Sequence, residues 1–167
     1  MDIAQKLKDN TNAFISIIEN FPDQFFNSKP SQGVWSAAEI TEHMIRSEFG
    51  LSRLFNGETK KQDDYDGIVM ERAIKEKLLN MENKVQAPSI IQPTAGEKSK
   101  SELITKFSAI RKELLNNIET MDNEVICLKY PHPLFGYLSR KDWAYSSIYH
   151  CQRHIMQVND ILTQINK

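Results

Sequence analysis

The sequence predicts an all-α protein, a four-helix bundle, and three observations predict it. Four stretches carry apolar residues at three- and four-residue steps, the period of a helix with one buried face. Three of the four open on a helix-start signal: Ser36-Ala37-Ala38-Glu39, Ser99-Lys100-Ser101-Glu102, and Ser139 followed by Asp142. The chain has 167 residues, 40% of them hydrophobic, which suits one domain with a proper core. With no internal repeat, low-complexity tract or linker, a single domain over residues 1–167 is expected.

The first helix is expected from Asp2 to Asn20. Ile3, Leu7, Phe14, Ile17, Ile18 and Phe21 share its apolar stripe, and Pro22 ends it. Phe25, Phe26, Pro30 and Gly33 then mark a compact loop with buried aromatics. The second helix opens at Ser36, whose hydroxyl bonds forward while Glu39 bonds back, a reciprocal capping box. Trp35 just outside the cap can staple onto Ile40, and the helix runs to about Phe55, stopped by Gly57. Its stripe holds Ile40, Met44, Leu51, Leu54 and Phe55, with His43 and Ser47 inside it.

Lys60 to Gly67 reads as a polar loop. Ile68 to Met81 has helical composition in one or two short pieces, and Val85 to Ser99, with Pro88 and Pro93, reads as an extended crossover. The third long helix starts at the second capping box and keeps Leu103, Phe107, Ile110, Leu114, Ile118 and Met121 in register. A loop over Asp122 to Leu138 contains Pro131 and Pro133. The last helix opens at Ser139, with Leu138 and Trp143 placed as a staple, and runs nearly to the C-terminus. The long connections before the third and fourth long helices permit crossover topologies as well as an up-down-up-down meander.

Composition removes several function classes. Formal net charge is −1 and no Lys/Arg cluster stands out, so no nucleic-acid partner is expected. No segment approaches the roughly 20 apolar residues of a membrane span, and Met1-Asp2-Ile3-Ala4-Gln5-Lys6 lacks the layout of a signal peptide. A cytoplasmic protein with no membrane partner is the expectation. Cys127 and Cys151 make no disulfide framework and are expected to be reduced.

The chemistry lies on the last helix. Its seam runs Trp143, Ser147, His150, His154, Val158, Ile161, Ile165, so two core-facing places hold imidazoles. At four residues apart, His150 and His154 project side by side. His43 adds a third imidazole from the inward stripe of the second helix. Three convergent imidazoles make a facial site for a divalent transition metal, with an open position for water or substrate. It is not a zinc-protease motif, because Cys151 rather than Glu follows His150. Cys151 turns about 100° away from the seam and is expected to pack elsewhere.

Around this trio stand weaker candidates for catalysis, Glu39, Gln157 and His132. Glu39, one turn before His43, is explained by the capping box. Gln157 can orient a histidine or join two helices. His132, in a Pro-flanked loop, is read as structural although that loop can reach the metal mouth. Arg153 points away from the seam and is expected in a salt bridge. Ser47 and Ser147 are small polar residues one turn from His43 and His150, which either leave room for substrate or let helices approach.

Three stretches carry a resemblance to a known family. They are Trp35-Ser36-Ala37-Ala38-Glu39-Ile40-Thr41-Glu42-His43, then His132-Pro133-Leu134-Phe135-Gly136-Tyr137-Leu138, then Trp143 with Tyr149-His150-Cys151-Gln152-Arg153-His154-Ile155-Met156-Gln157. In order and spacing, over nearly the whole chain, the sequence resembles the DinB-like metalloproteins, also called DinB/YfiT-like metalloenzymes. The resemblance implies an up-down-down-up four-helix bundle and a nickel, zinc or similar divalent ion on His43, His150 and His154. Characterised members include thiol S-transferases that use low-molecular-weight thiols and a mycothiol-dependent isomerase, and others are described as metal-dependent hydrolases. The family name does not imply DNA binding.

The expected function is therefore a divalent-metal-dependent enzyme acting on a small-molecule substrate. A thiol-dependent S-transferase for small electrophiles is favoured, because the sequence offers no dedicated general base and a coordinated thiol loses its proton readily. A metal-dependent hydrolase, a non-catalytic metal- or ligand-binding stress protein, and a helical interaction module without an ion are the alternatives. A homodimer is plausible for a small bundle.

Overall fold

The computed structural model describes residues 2–83 and 86–165. Val85, the first residue of the expected crossover, lies outside them. Helices α1 (Ile3–Glu19), α3 (Ala37–Glu48), α6 (Lys100–Thr120) and α7 (Arg140–Ile165) form the bundle. Cross-helix pairs fix their directions. Lys6 lies over Tyr145 and Asn10 donates to the Ile148 carbonyl, so α1 and α7 run parallel. Lys8–Glu119 and Phe14–Phe107 make α6 antiparallel to α1. His43 meets His150 and Glu48 meets Ser147, so α3 opposes α7. The order is up-down-down-up, and two consecutive long helices pointing the same way require the long crossover between them.

The Ser36 capping box forms in full: Glu39 N–H donates to Ser36 Oγ at 3.1 Å and Ser36 N–H to Glu39 Oε2 at 2.9 Å. Only half of the second one forms, with Ser99 Oγ accepting from Glu102 N–H at 3.4 Å. The second helix is shorter than its periodicity suggested. It breaks at Phe49–Gly50 and resumes as α4 (Leu51–Phe55). Gly50 is where the Tyr130 side chain crosses. Tyr130 Oη donates to the Gly50 carbonyl, and a Cβ on Gly50 would stand 2.8 Å from that oxygen.

A short helix, α2 (Asp23–Phe26), turns the compact loop and buries Phe26. Residues 67–79 form one helix, α5 (Gly67–Leu79), capped by Asp66 and packed on α7 through Ile74 and Leu78. Ile68 and Val69 stay exposed. The crossover is extended apart from one 3₁₀ turn, Ser89–Ile91. Two-residue strands β1 (Thr59–Lys60) and β2 (Ile126–Cys127) pair antiparallel, where the sequence predicts only loop.

Two apolar clusters fill the bundle. One holds Leu7, Leu54, Phe55, Leu114, Ile118 and Trp143; the other holds Phe14, Ile18, Phe26, Met44, Phe107 and Val158. Fully burying one such side chain contributes about 1.5–3 kcal/mol. Leu138 and Trp143, placed as a staple, share the first cluster, and Trp35 packs against the second, where Ile40 lies. Between the clusters Arg111, 1% exposed, occupies the buried register of α6 while Ile110 is only partly buried. Among the described residues no helix is long and apolar enough to cross a membrane.

Candidate metal centre

Helix α3 is fixed at its start by the capping box and by Trp35, whose ring lies 4.8 Å from the His43 ring. Nearly two turns in, this places His43 opposite the middle of α7, where the four-residue step aligns His150 and His154. The three Nε2 atoms converge. His150 Nε2 is 3.2 Å from His43 Nε2 and 3.0 Å from His154 Nε2. His43 and His154 are 3% and 4% exposed, whereas His150 is only partly buried.

The far side of two rings settles their tautomers. His43 Nδ1–H donates to the Ile91 carbonyl at 2.8 Å, and His154 Nδ1–H donates to Gln157 Oε1 at 2.7 Å. Each therefore presents a bare lone pair on Nε2. A hydrogen on His150 Nε2 can serve only one of them, which leaves the other lone pair without a donor; a cation can accept a lone pair from all three nitrogens. Imidazole nitrogens about 2.0–2.1 Å from a shared ion, at tetrahedral or octahedral angles, lie about 2.9–3.4 Å apart. The observed spacing fits, and the three residues together can hold a metal ion. The Ile91 carbonyl and the Gln157 amide supply the outer bonds that orient ligating histidines.

Electrostatics agree with this arrangement. Burial pushes His154 down to about 3 and lowers His43. His150 falls well below the ordinary histidine value through burial and through the neighbouring His154 and His43 rings. All three imidazoles are neutral at pH 7, the form a metal requires.

The weaker candidates separate. Gln157 bonds directly to a trio histidine. Glu39 is committed to its cap and to Lys29 at 3.0 Å, and makes no bond to the trio. His132 also stays outside it. Gly136, at φ +71°, closes a tight loop in which His132 and Gly136 exchange backbone bonds. The His132 ring accepts the Leu134 N–H at Nδ1 and donates from Nε2 to Ser146 Oγ, one turn before His150. Cys151 packs in the second apolar cluster and is not one of the three side chains whose ligand atoms converge. Ser47 Oγ donates to the Met44 carbonyl.

Among the described residues Arg153 makes no salt bridge, contrary to expectation. Its guanidinium caps the end of α5, donating to the carbonyls of Leu78, Asn80 and Asn83. The three carbonyls already supply the acceptors an acidic partner would have supplied.

One buried feature was missed altogether. Beside the trio, Arg111 makes a two-pronged bond to Glu48, both contacts 2.7 Å, and also reaches Asn10 Oδ1 and the Ser147 carbonyl. Ser147 Oγ donates to Glu48 Oε1 at 2.7 Å, so its role is to complete this network. The available signal was Arg111 in core register between Phe107 and Leu114.

Fold and site together define a four-helix bundle with a three-histidine centre able to hold a divalent metal. The sequence matches the model of the DinB superfamily over residues 6–158, and the chain belongs to that family. It is 26% identical over 154 residues to the uncharacterized protein YuaE of Bacillus subtilis (strain 168), covering 90% of this chain and 91% of the relative. Its fold matches the crystal structure of TT2238, a four-helix bundle protein, with a TM-score of 0.60 at 16% identity, over 95% of this chain and 96% of that one.

Proposed function

We propose that the protein is a divalent-metal-dependent enzyme that transfers a low-molecular-weight thiol to small electrophiles, with His43, His150 and His154 as the ligands of a zinc or nickel ion. The observation that carries this is the convergence of three neutral Nε2 atoms whose outer nitrogens are tied to Ile91 and Gln157. An ion bound there supplies the acidity that lets a bound thiol lose its proton near neutral pH.

The chain's own groups favour this chemistry over base-assisted hydrolysis. Among the described residues no Asp or Glu side chain bonds to the trio, so no carboxylate stands ready to take a proton from water. The attacking thiol comes from outside. Cys127 and Cys151 are both 0% exposed, and burial pushes their thiols up to about 11 and about 12. In the reaction the thiol sulfur forms a bond to the electrophilic carbon as the bond to the leaving group breaks. The thiol proton passes to solvent.

The test incubates protein loaded with zinc or nickel with monochlorobimane or 1-chloro-2,4-dinitrobenzene and a panel of small thiols, following thiol loss. Expected is turnover that chelator and His150→Ala both abolish. Product release without thiol consumption would make the protein a hydrolase, and tight metal binding with no turnover would make it a binding protein; either overturns the proposal.

A further inference from the structure

Two grooves mark the surface. The larger, about 490 Å³, lies between Asp23, Asn27, Lys98 and Lys100, away from the histidines. Its lysines are engaged internally: Lys100 pairs with Asp23, and Lys98 with Glu42. The smaller, about 330 Å³, runs between the start of α3 and the last turns of α7. This is the size of a small-molecule site. Trp35, Val34 and Ile161 give it apolar walls, and Gln157, Asp160 and Gln164 give it a polar edge.

Two of those residues are shared with the metal centre. The Trp35 ring lies against His43, and Gln157 accepts from His154. The groove therefore begins where the histidine cluster ends. Its charge is one-sided. Asp160 is exposed and, among the described residues, has no Lys or Arg partner, and the lining contains no cation. Gln164 adds an amide to the edge beside the carboxylate, while the Gln157 oxygen is engaged by His154. An indole face beside an unpaired carboxylate suits an ammonium group on an apolar stem, since the ring face attracts a cation and the carboxylate pairs with it. An anion there would meet no positive charge among the described lining residues.

We infer that the groove walled by Trp35 and Gln157 is a substrate subsite that takes the ammonium-bearing part of a small molecule, with Asp160 as its counter-charge. This rests on the proposed metal-centred reaction and names the substrate class for it. His154 and Asp160 are six residues apart on α7, roughly 9 Å along the axis. The substrate is thus a primary amine whose reacting group lies several bonds from the nitrogen.

Calorimetric titration with hexylammonium and with hexanoate tests this, on zinc-loaded wild type and on Asp160→Asn. Asp160 is exposed, so the variant keeps its fold. Expected is saturable binding of hexylammonium at least tenfold tighter than hexanoate, with that preference lost in Asp160→Asn and zinc affinity unchanged. Equal binding of the two probes, binding of neither, or a preference that survives Asp160→Asn overturns the subsite. A separate zinc titration keeps the two ideas apart. If zinc does not bind while the amine preference still depends on Asp160, the metalloenzyme reading falls and the groove stands. If zinc binds and the preference is absent, the groove alone falls.

Discussion

Two polar clusters are buried in this bundle within about two turns of each other, and they end differently. In the Arg111 cluster every side-chain donor and acceptor of Arg111, Glu48, Asn10 and Ser147 has a partner within the protein. In the histidine cluster the outer nitrogens of His43 and His154 are satisfied, yet the inner ones bring lone pairs together. The first closes on itself and specifies how α1, α3, α6 and α7 meet. The second is completed only by something that accepts electron pairs. Burial of polar groups alone therefore does not mark a functional site; the unmatched donor set does.

The largest effect expected from this contrast is on stability, and it lies in the closed cluster. Arg111→Ala leaves the Glu48 carboxylate, 2% exposed, without its counter-charge. Breaking a buried pair in this way costs about 3–5 kcal/mol. Replacing both partners, as in Arg111→Met with Glu48→Met, should recover most of that loss, because the desolvation penalty is removed along with the attraction. Urea unfolding of the metal-free protein measures both. A cost under about 1 kcal/mol for Arg111→Ala would mean that the closed network does not hold the helices together and would break the contrast.

The open cluster should behave the other way. Removing His150 costs the metal-free protein little, since it relieves the crowding of nitrogens. Metal then separates the two proteins. Zinc or nickel at a hundredfold excess over its dissociation constant should stabilise wild type by about 2.7 kcal/mol and leave His150→Ala unmoved. Thermal melts with and without metal are the measurement. An equal shift in both would place the ion elsewhere.

The sequence made these clusters legible to different degrees, and the reasons are physical. The trio rested on helical period and on a cap, both local, so His43, His150 and His154 could be placed before any coordinates. The four-helix bundle followed from the same periodicity. Arg111 was visible only as a charge in core register, since its partners Glu48 and Asn10 are 63 and 101 residues away. The Ile91 carbonyl that orients His43 is a backbone group and leaves no side-chain signature. The break at Gly50 depends on Tyr130, 80 residues on, and the β1–β2 pair joins strands too short to show alternation.

The outer bonds of the trio give a smaller, sharper test. Gln157→Leu removes the acceptor that holds the His154 tautomer while leaving all three ligands. Loss of such a partner typically weakens metal affinity 10–100-fold. A competition titration should find that drop with little change in metal-free stability. Unchanged affinity would show that the neighbouring packing alone orients His154.

His132 provides the smallest effect and a control within the same residue type. Its ring belongs to a closed arrangement, accepting from Leu134 N–H and donating to Ser146 Oγ. Burial pushes it down to about 4, against an ordinary value of 6.5. The unfolded chain therefore takes up the proton more readily than the folded one. The stability this residue contributes is complete above pH 6.5 and is lost as pH falls from 6.5 towards 4. His132→Asn can keep an acceptor for Leu134 N–H, in the manner of an Asx turn, and does not titrate. It should flatten the slope of unfolding free energy in that window relative to wild type. His154, pushed down to about 3, adds a slope of the same sign, so the difference between wild type and variant isolates His132. Metal should keep or steepen the share of the slope due to the trio, because bound nitrogens resist protonation while the unfolded chain still takes up the protons, and leave the His132 share intact. If metal changed the His132 share as well, His132 would have to be counted with the open cluster, and the line between the two kinds of buried polar group would move.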